Sequence, residues 1–381
     1  MNSFHIAIAA VTVMFAVSLM LLLAVVVFKW ANGRRLEARE NRRAAYLKLL
    51  SQHVAAPGSI AEISVKEADD AAFIDALIDI RHALSGSPAD SLDGVIDRVG
   101  LISHQAKRLS SRFPLGRRLR AVVSLAEIGD PKAAPILMHH LTDRVPEIRV
   151  QSARGLARMR HTPAIDVILD RFHDETPWVQ SRFAETLALY GRDAVWPLTA
   201  WVRVNHNYRR DKGVTEIIRI LGIIGDSEVG PGLAELLYTA EDPEVRIAII
   251  ETLGIIGGPL ALRPLRRMIQ SADWRIRAKA ATAFSRIGDS SINPILREGL
   301  DDQSWWMRRN SAAALASLPG GIDFLYEAIG AAEQFTRDAA AEALADCGEL
   351  IAARDRLESG ESDPRDAQLI SYMHIPEPVT S

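Results

Sequence analysis

The sequence predicts an all-α solenoid of about eight short helix pairs, preceded by a single transmembrane helix. Three observations carry this expectation: a unit of about 31 residues recurring from about residue 115 onward, glycine and proline at set offsets within it, and an uncharged apolar run from Ile6 to Phe28. With 381 residues, 48% hydrophobic and 24% charged, the chain can bury a sizeable core. No window alternates in the manner of a strand. A net charge of -3 gives no global mark of a nucleic-acid binder, and the single cysteine, Cys347, excludes an intramolecular disulfide framework.

Ile6 to Phe28 is 23 residues without a charge. As a helix it covers roughly 35 Å, enough to span a bilayer. No Lys or Arg precedes it and it ends in Phe28-Lys29-Trp30, so residues 1–30 read as an uncleaved anchor and not as a signal peptide. Lys29, Arg34, Arg35, Arg39, Arg42, Arg43 and Lys48 follow the run against only Glu37 and Glu40. That asymmetry predicts an N-terminus outside and a cytoplasmic bulk, with the basic residues able to touch anionic headgroups. Residues 31–58 read as a charged juxtamembrane stalk and hinge, ended by the breaker Ala56-Pro57-Gly58-Ser59. Residues 59–112 form a helical cap, from the apolar stripes Phe73, Leu77, Ile80, Leu84 and Leu92, Val95, Ile96, Val99, Ile102.

The repeat occupies residues 113–360. Equivalent points are Arg118, Arg149, Gln180, Val214, Arg246, Arg277, Arg308 and Arg337. Seven residues past each stand Leu125, Leu156, Leu187, Leu221, Leu253, Phe284, Leu315 and Leu344; ten past stand Ile128, Met159, Tyr190, Ile224, Ile256, Ile287, Leu318 and Cys347. Both columns are predicted core, Cys347 included. Ala153, Ala184, Ala281, Ala312 and Ala341 keep the fourth position small, so neighbouring helices can approach closely. Gly129, Gly191, Gly225, Gly257, Gly288 and Gly348 end the first helix, where a left-handed backbone is needed. Pro135, Pro197, Pro231, Pro264 and Pro294 are expected in the first turn of the second helix. Unit two has Arg160 in place of the glycine. Residues 361–381 are expected to be a flexible tail.

Stretches such as Asp242-Pro243-Glu244-Val245-Arg246 and Leu253-Gly254-Ile255-Ile256-Gly257 resemble HEAT repeats, specifically the short bacterial HEAT-like units also seen in phycobilin lyases. The resemblance covers about two thirds of the chain. It implies a right-handed α-solenoid, and it is weak for function, since such arrays carry scaffolds, adaptors and a few enzymes. Asp143 with Arg149 and Asp302 with Arg308 keep the six-residue separation that HEAT repeats use for an inter-repeat hydrogen-bonded ladder, and Asp174 keeps it with Gln180.

Candidate binding residues are few. Trp274 and Trp305 stand 31 residues apart, three before Arg277 and Arg308, with Trp306 adjacent and Trp178 equivalent in unit three. They either cover the turn between repeats or form a partner hot spot. Arg267 and Arg297 align on the second-helix layer that lines the concave side in HEAT arrays. Tyr208-Arg209-Arg210-Asp211-Lys212 lies in the longest spacing between units and reads as a linker or extra loop. His139-His140 are adjacent and so do not share a helix face as metal ligands do. No catalytic, metal or cofactor residues are assigned. The expectation is a scaffold or adaptor at a bacterial inner membrane, binding the bilayer through residues 6–28 and a protein partner, with a membrane enzyme such as a glycosyltransferase as client. A HEAT-like nucleic-acid binder of the DNA glycosylase kind, or less so a bilin-lyase-like enzyme, is the alternative. No nucleic acid is expected.

Overall fold

The computed structural model describes residues 2–55, 68, 70–84, 92–207, 213–361 and 363–373; the breaker at 56–59 and the loop at 208–212 lie outside them. Among the described residues there are helices and short 3-10 turns and no strand. They fall into two compact units, residues 1–161 and 162–381.

In the first unit, α1 (Asn2–Ala55) is one helix of 54 residues. Its side chains from Met14 to Phe28 are exposed, as befits the one described helix that is long and apolar enough to cross a membrane. The stretch expected to be a charged stalk continues the same helix and docks on the cap. Arg39 pairs with Asp75, Arg43 reaches Asp79 through Nε at 2.9 Å and Nη2 at 2.6 Å, and Tyr46 packs edge-on to Phe73 with ring centroids 5.4 Å apart. Leu50 is fully buried. The reason is amphipathicity hidden among charges: Tyr46 and Leu50 stand one turn apart facing α2 (Ala71–Ala83), whose own acids pair with the arginines beside them. Below them α3 (Asp93–Val99) and α4 (Leu101–Arg108) turn at Gly100, φ 63°. The cap core of Leu50, Phe73, Leu77 and Ile96 also takes in Ile128 of α5 (Leu115–Ile128). Cap and first repeat therefore share one core, which is why no unit boundary falls at residue 113. α6 (Ala134–His140) and α7 (Pro146–Arg158) complete this unit.

The second unit continues with α8 (Pro163–Arg171), α9 (Pro177–Ala188), α10 (Arg192–Asn205), α11 (Gly213–Ile224), α12 (Gly230–Thr239), α13 (Pro243–Ile256) and α14 (Pro259–Met268). It ends with α15 (Trp274–Ile287), α16 (Asn293–Gly299), α17 (Trp305–Ser317), α18 (Gly321–Ile329), α19 (Gln334–Asp346), α20 (Glu349–Ser359) and α21 (Pro364–Tyr372). First helices stack on first helices, α11 to α13 to α15 to α17, with second helices in a layer behind them.

The seven-past column, Leu125 through Leu344, is buried at every position. The ten-past column is not: Tyr190 is fully buried, but Cys347 at the last repeat is exposed, so the expected core thiol is a surface one. Cys347 stands at the C-cap of α19, just past its last helical residue. The glycine column takes positive φ throughout, from 57° at Gly191 to 88° at Gly348. Arg160 keeps that conformation, φ 51°, the one positive-φ residue among the described ones that is not glycine. The turn is thus imposed by the stack even where the sequence resists it.

Two prolines depart from expectation. Pro135, Pro231 and Pro294 sit in the first turn, after 3-10 turns capped by Asp130, Asp226 and Asp289. Pro197 and Pro264 lie inside α10 and α14. Those helices begin directly after Gly191 and Gly258, without an intervening 3-10 turn, so the same residue falls one turn deeper.

The expected flexible tail is corrected too. Asp363-Pro364 opens α21, whose Leu369 and Ile370 are buried, while residues 374–381 lie outside the described ones. Asp366, 1% exposed, binds Arg356 Nη2 at 2.6 Å and Tyr326 Oη at 3.0 Å, tying α21 to α20 and α18. The Arg356 hydrogen bond is the main force holding the Asp366 carboxyl below the usual carboxylate range.

Two outcomes follow from this packing. A chain of residues 31–381 should melt as cooperatively as the full chain, whereas residues 57–381 should lose at least about 2 kcal/mol, the usual cost of removing one buried leucine, measured by denaturant titration. Equal stability of the two truncations would contradict the docking of α1. Arg160→Gly should stabilise the chain by about 1 kcal/mol, the strain of a left-handed residue with a Cβ.

Candidate partner-binding surface

Where an arginine stands near the start of a first helix it reaches back to a backbone carbonyl, and at Arg118 and Arg277 it also reaches the next repeat. Arg149 Nη1 donates to the Asp143 carbonyl at 2.8 Å and Arg308 Nη1 to the Asp302 carbonyl at 2.8 Å, so the six-residue spacing is a contact to backbone within one turn. The carboxylates point the other way. Asp143 accepts from Arg118 Nη2 at 2.5 Å, and Asp302 accepts from Arg277 Nε and Nη2, both at 2.8 Å, a separation of 25 residues in each case. The inter-repeat rung therefore joins Arg118 to Asp143 and Arg277 to Asp302, and not the pairs that the six-residue spacing suggested. Each Asp also caps the turn ahead of it, through Val145 N at 2.9 Å and Ser304 N at 2.7 Å. One carboxylate thus satisfies a guanidinium and a helix-end amide together. Gln180 instead donates to the Phe172 carbonyl at 2.9 Å, and Asp174 is exposed.

The tryptophans stand at the starts of first helices, all about half exposed: Trp178 on α9, Trp274 on α15, Trp305 and Trp306 on α17. No ring contact joins Trp274 to Trp305 among the described residues. Trp305 packs edge-on against Trp306, centroids 4.7 Å apart, under Arg309. The ring that faces the same space as Trp274 is Trp306. Adjacent residues on a helix point about 100° apart, and Trp306 is the one in register with Arg275 and Glu244. Trp274 and Trp306 frame a groove of about 590 Å³ along the first-helix face, floored by Ile247, Ala278 and Thr282. Its charged rim is paired across helices: Arg275 to Glu244 at 2.7 Å and Lys279 to Glu251 at 2.6 Å.

Arg267 and Arg297 lie apart from this groove, on α14 and α16 of the second-helix layer. Arg267 stacks over Tyr238 at 5.2 Å, and Arg297 pairs with Asp301 at 3.1 Å. His139 and His140, the last two residues of α6, do touch, ring edge to face at 5.2 Å; His140 Nδ1 lies 3.1 Å from Asp143. Among the described residues no group of three His, Cys, Asp or Glu side chains is placed to hold a metal. Sequence reasoning missed Trp196, 77% exposed on α10; its only signal was a place in a helix with Pro197.

A sequence model of HEAT repeats matches residues 106–188, 215–276 and 267–345, more than half of the chain. The chain belongs to the HEAT-repeat family. No curated protein sequence matches it. Among solved structures, this HEAT protein is similar to Kap121p, with 13% identity over 86% of this chain and 43% of that one and a TM-score of 0.51. It is similar also to Kap121p bound to Nup53p, with 14% identity over 83% of this chain and 41% of that one and a TM-score of 0.50. The HEAT chain thus spans less than half the length of these two Kap121p chains. Human deoxyhypusine hydroxylase matches at 17% identity over 68% of this chain and 99% of that one, but its TM-score of 0.30 supports no structural argument.

The rungs carry a pH dependence. Burial would raise the Asp302 carboxyl, but the Arg277 hydrogen bond, the Ser304 amide and nearby Arg308 outweigh it and hold it below the usual carboxylate range. A depressed carboxyl contributes stability at neutral pH that is lost as pH falls through its folded value. Asp302→Asn should cost about 1–3 kcal/mol at pH 7 and little below the ordinary aspartate range, measured by denaturant titration at both.

Proposed function

We propose that this HEAT protein is a membrane-tethered scaffold, without catalysis of its own, that binds a protein partner on the cytoplasmic side through the groove between Trp274 and Trp306. The observation that carries the reading is the pairing of two half-exposed indoles with an apolar floor on rigid helices. Tryptophan desolvates a large area at low entropic cost and is enriched in binding hot spots. The groove's rim ions are already neutralised within the stack, so a partner meets little charge that must be stripped of water. A solved relative in fold, Kap121p, is recorded bound to a protein, Nup53p, which supports protein recognition as a use of such stacks.

The tether is the apolar, exposed part of α1, followed by seven basic residues against two acids up to Lys48. A scaffold confined to a membrane meets membrane proteins at raised effective concentration, so a membrane enzyme, of which a glycosyltransferase is one example, is the client class that fits. With Trp274→Ala and Trp306→Ala combined in the full chain, helicity and melting should barely change. Capture of partners from solubilised membranes should fall roughly tenfold or more, about 1.4 kcal/mol. Stability lost along with capture would assign the rings to packing, and unchanged capture would sink the reading.

A further inference from the structure

Between residues 98 and 126 the chain carries seven Lys and Arg residues and no Asp or Glu, against a net charge of -3 for the whole. Several cations elsewhere are matched across neighbouring helices, as Arg275 is by Glu244 and Arg365 by Asp323. Lys107 and Arg112 of this segment have no such match among the described residues. The end of α4, the turn that follows it, the start of α5, the end of α6 and the turn at 142–144 enclose a cleft of about 1090 Å³. Four Lys and Arg residues line it, Lys107, Arg112, Arg118 and Arg144, against one acid, Asp143.

That acid is already spent. Its carboxylate takes Arg118 at 2.5 Å, the Val145 amide at 2.9 Å and His140 at 3.1 Å. Arg118 is held further by the Leu109 carbonyl, 3.0 Å from its Nε. Lys107, Arg112 and Arg144 are exposed, with no ion pair among the described residues, and Arg112 is steadied only by the Ser110 hydroxyl at 3.1 Å. Three exposed cations around one cleft whose single acid is already paired repel one another, and an anion would relieve that repulsion. Guanidinium forks and an ammonium are the donors that suit phosphate oxygens.

We propose that this cleft binds a phosphate-bearing anion, held by Lys107, Arg112 and Arg144. The space suits a group larger than a single inorganic ion. The proposal is independent of the Trp groove. Its ligand chemistry is common to a soluble phosphate compound and a phospholipid headgroup. The second source is within reach of the tether. Arg108 and Arg120, from the same acid-free segment, line another cleft with Arg39 of α1, and Arg39 follows Phe28 by 11 residues, roughly 16 Å of helix.

The test uses the full chain in phosphatidylcholine nanodiscs, titrated with inorganic pyrophosphate by calorimetry. Native mass spectrometry in mixed micelles then compares retained phosphatidylglycerol with phosphatidylcholine. Binding of one or both probes is expected, weakened at least tenfold by Lys107→Ala, Arg112→Ala and Arg144→Ala together, with the melting temperature unchanged. Arg192→Ala, Arg263→Ala and Arg286→Ala together remove the same charge elsewhere and should leave binding intact. Pyrophosphate binding alone assigns a soluble ligand. Phosphatidylglycerol adducts that vanish with the cleft triple assign a headgroup. Binding of neither probe, survival of binding in the cleft triple, or equal loss in both triples overturns the site. Should the cleft triple fold poorly, Arg144→Glu alone must show the same loss.

Discussion

Everything in the repeat stack depends on how closely one first helix approaches the next. At Gly254 of α13 a Cβ would lie 2.9 Å from the Ala283 Cα of α15, and Ala281, Ala312 and Ala341 are buried with almost no surface left. Backbones that close leave no room for an alternative register, because a shift of one residue would drive a larger side chain into the neighbouring helix. The 31-residue period is the consequence. It brings Glu244, Arg275 and Trp306 onto one row and Arg277 to within reach of Asp302. The groove is thus a by-product of packing that the small residues enforce, and only its end walls, Trp274 and Trp306, are choices the packing leaves free.

The rungs add polar specificity to that apolar contact. A first helix enters its repeat from a turn whose carbonyls have no helical partner, and the arginine four residues in folds back to take one. Arg118 and Arg277 also cross to the next repeat, each to an Asp 25 residues on. Arg246, with Ser271 at that place, stops at the Ala240 carbonyl, 2.6 Å away, and Arg308, with Glu333 there, lies over the Phe335 ring at 5.0 Å. The constant element is the backbone contact; the inter-repeat bond is an addition that some turns carry.

Much of this was legible in the residues, for a physical reason: short repeats are built from local turns, and local turns have compositional needs. Leucine seven past the arginine and glycine at the helix end follow directly from burial and from left-handed backbone, so those columns could be read without coordinates. Arg160 shows the limit, since its turn is shaped by neighbours and not by its own preference. The docking of α1 was hidden because Arg39, Arg42 and Arg43 look like a solvated face until their partners on α2 are known. Trp306 was hidden behind Trp305, because a 31-residue spacing identifies a column but not which of two adjacent columns faces the groove. Asp363-Pro364, by contrast, repeats the Asp242-Pro243 opening of α13 and signalled the last helix in plain view. The acid-free run was legible as well; counting charge over the whole chain averaged it away.

A helix that runs without interruption from an apolar segment into a folded core changes what a tether does. A flexible linker lets any face of a domain meet a partner and mainly sets an effective concentration. Here Tyr46 and Leu50 belong to the cap core while Met14 to Phe28 of the same helix are exposed. Turning the first unit about its anchor would require breaking α1 or pulling Leu50 from its pocket, either of which costs several kcal/mol. On the proposed membrane reading, the first unit therefore presents one fixed side to the headgroup layer. Lys107, Arg112 and Arg144, in the cleft of the same unit, differ from Arg275 and Lys279 of the groove in having no acid paired with them among the described residues. The contrast is the expected one for a chain that uses matched charge to hold repeats together and unmatched charge where something outside the chain must supply the counter-ion.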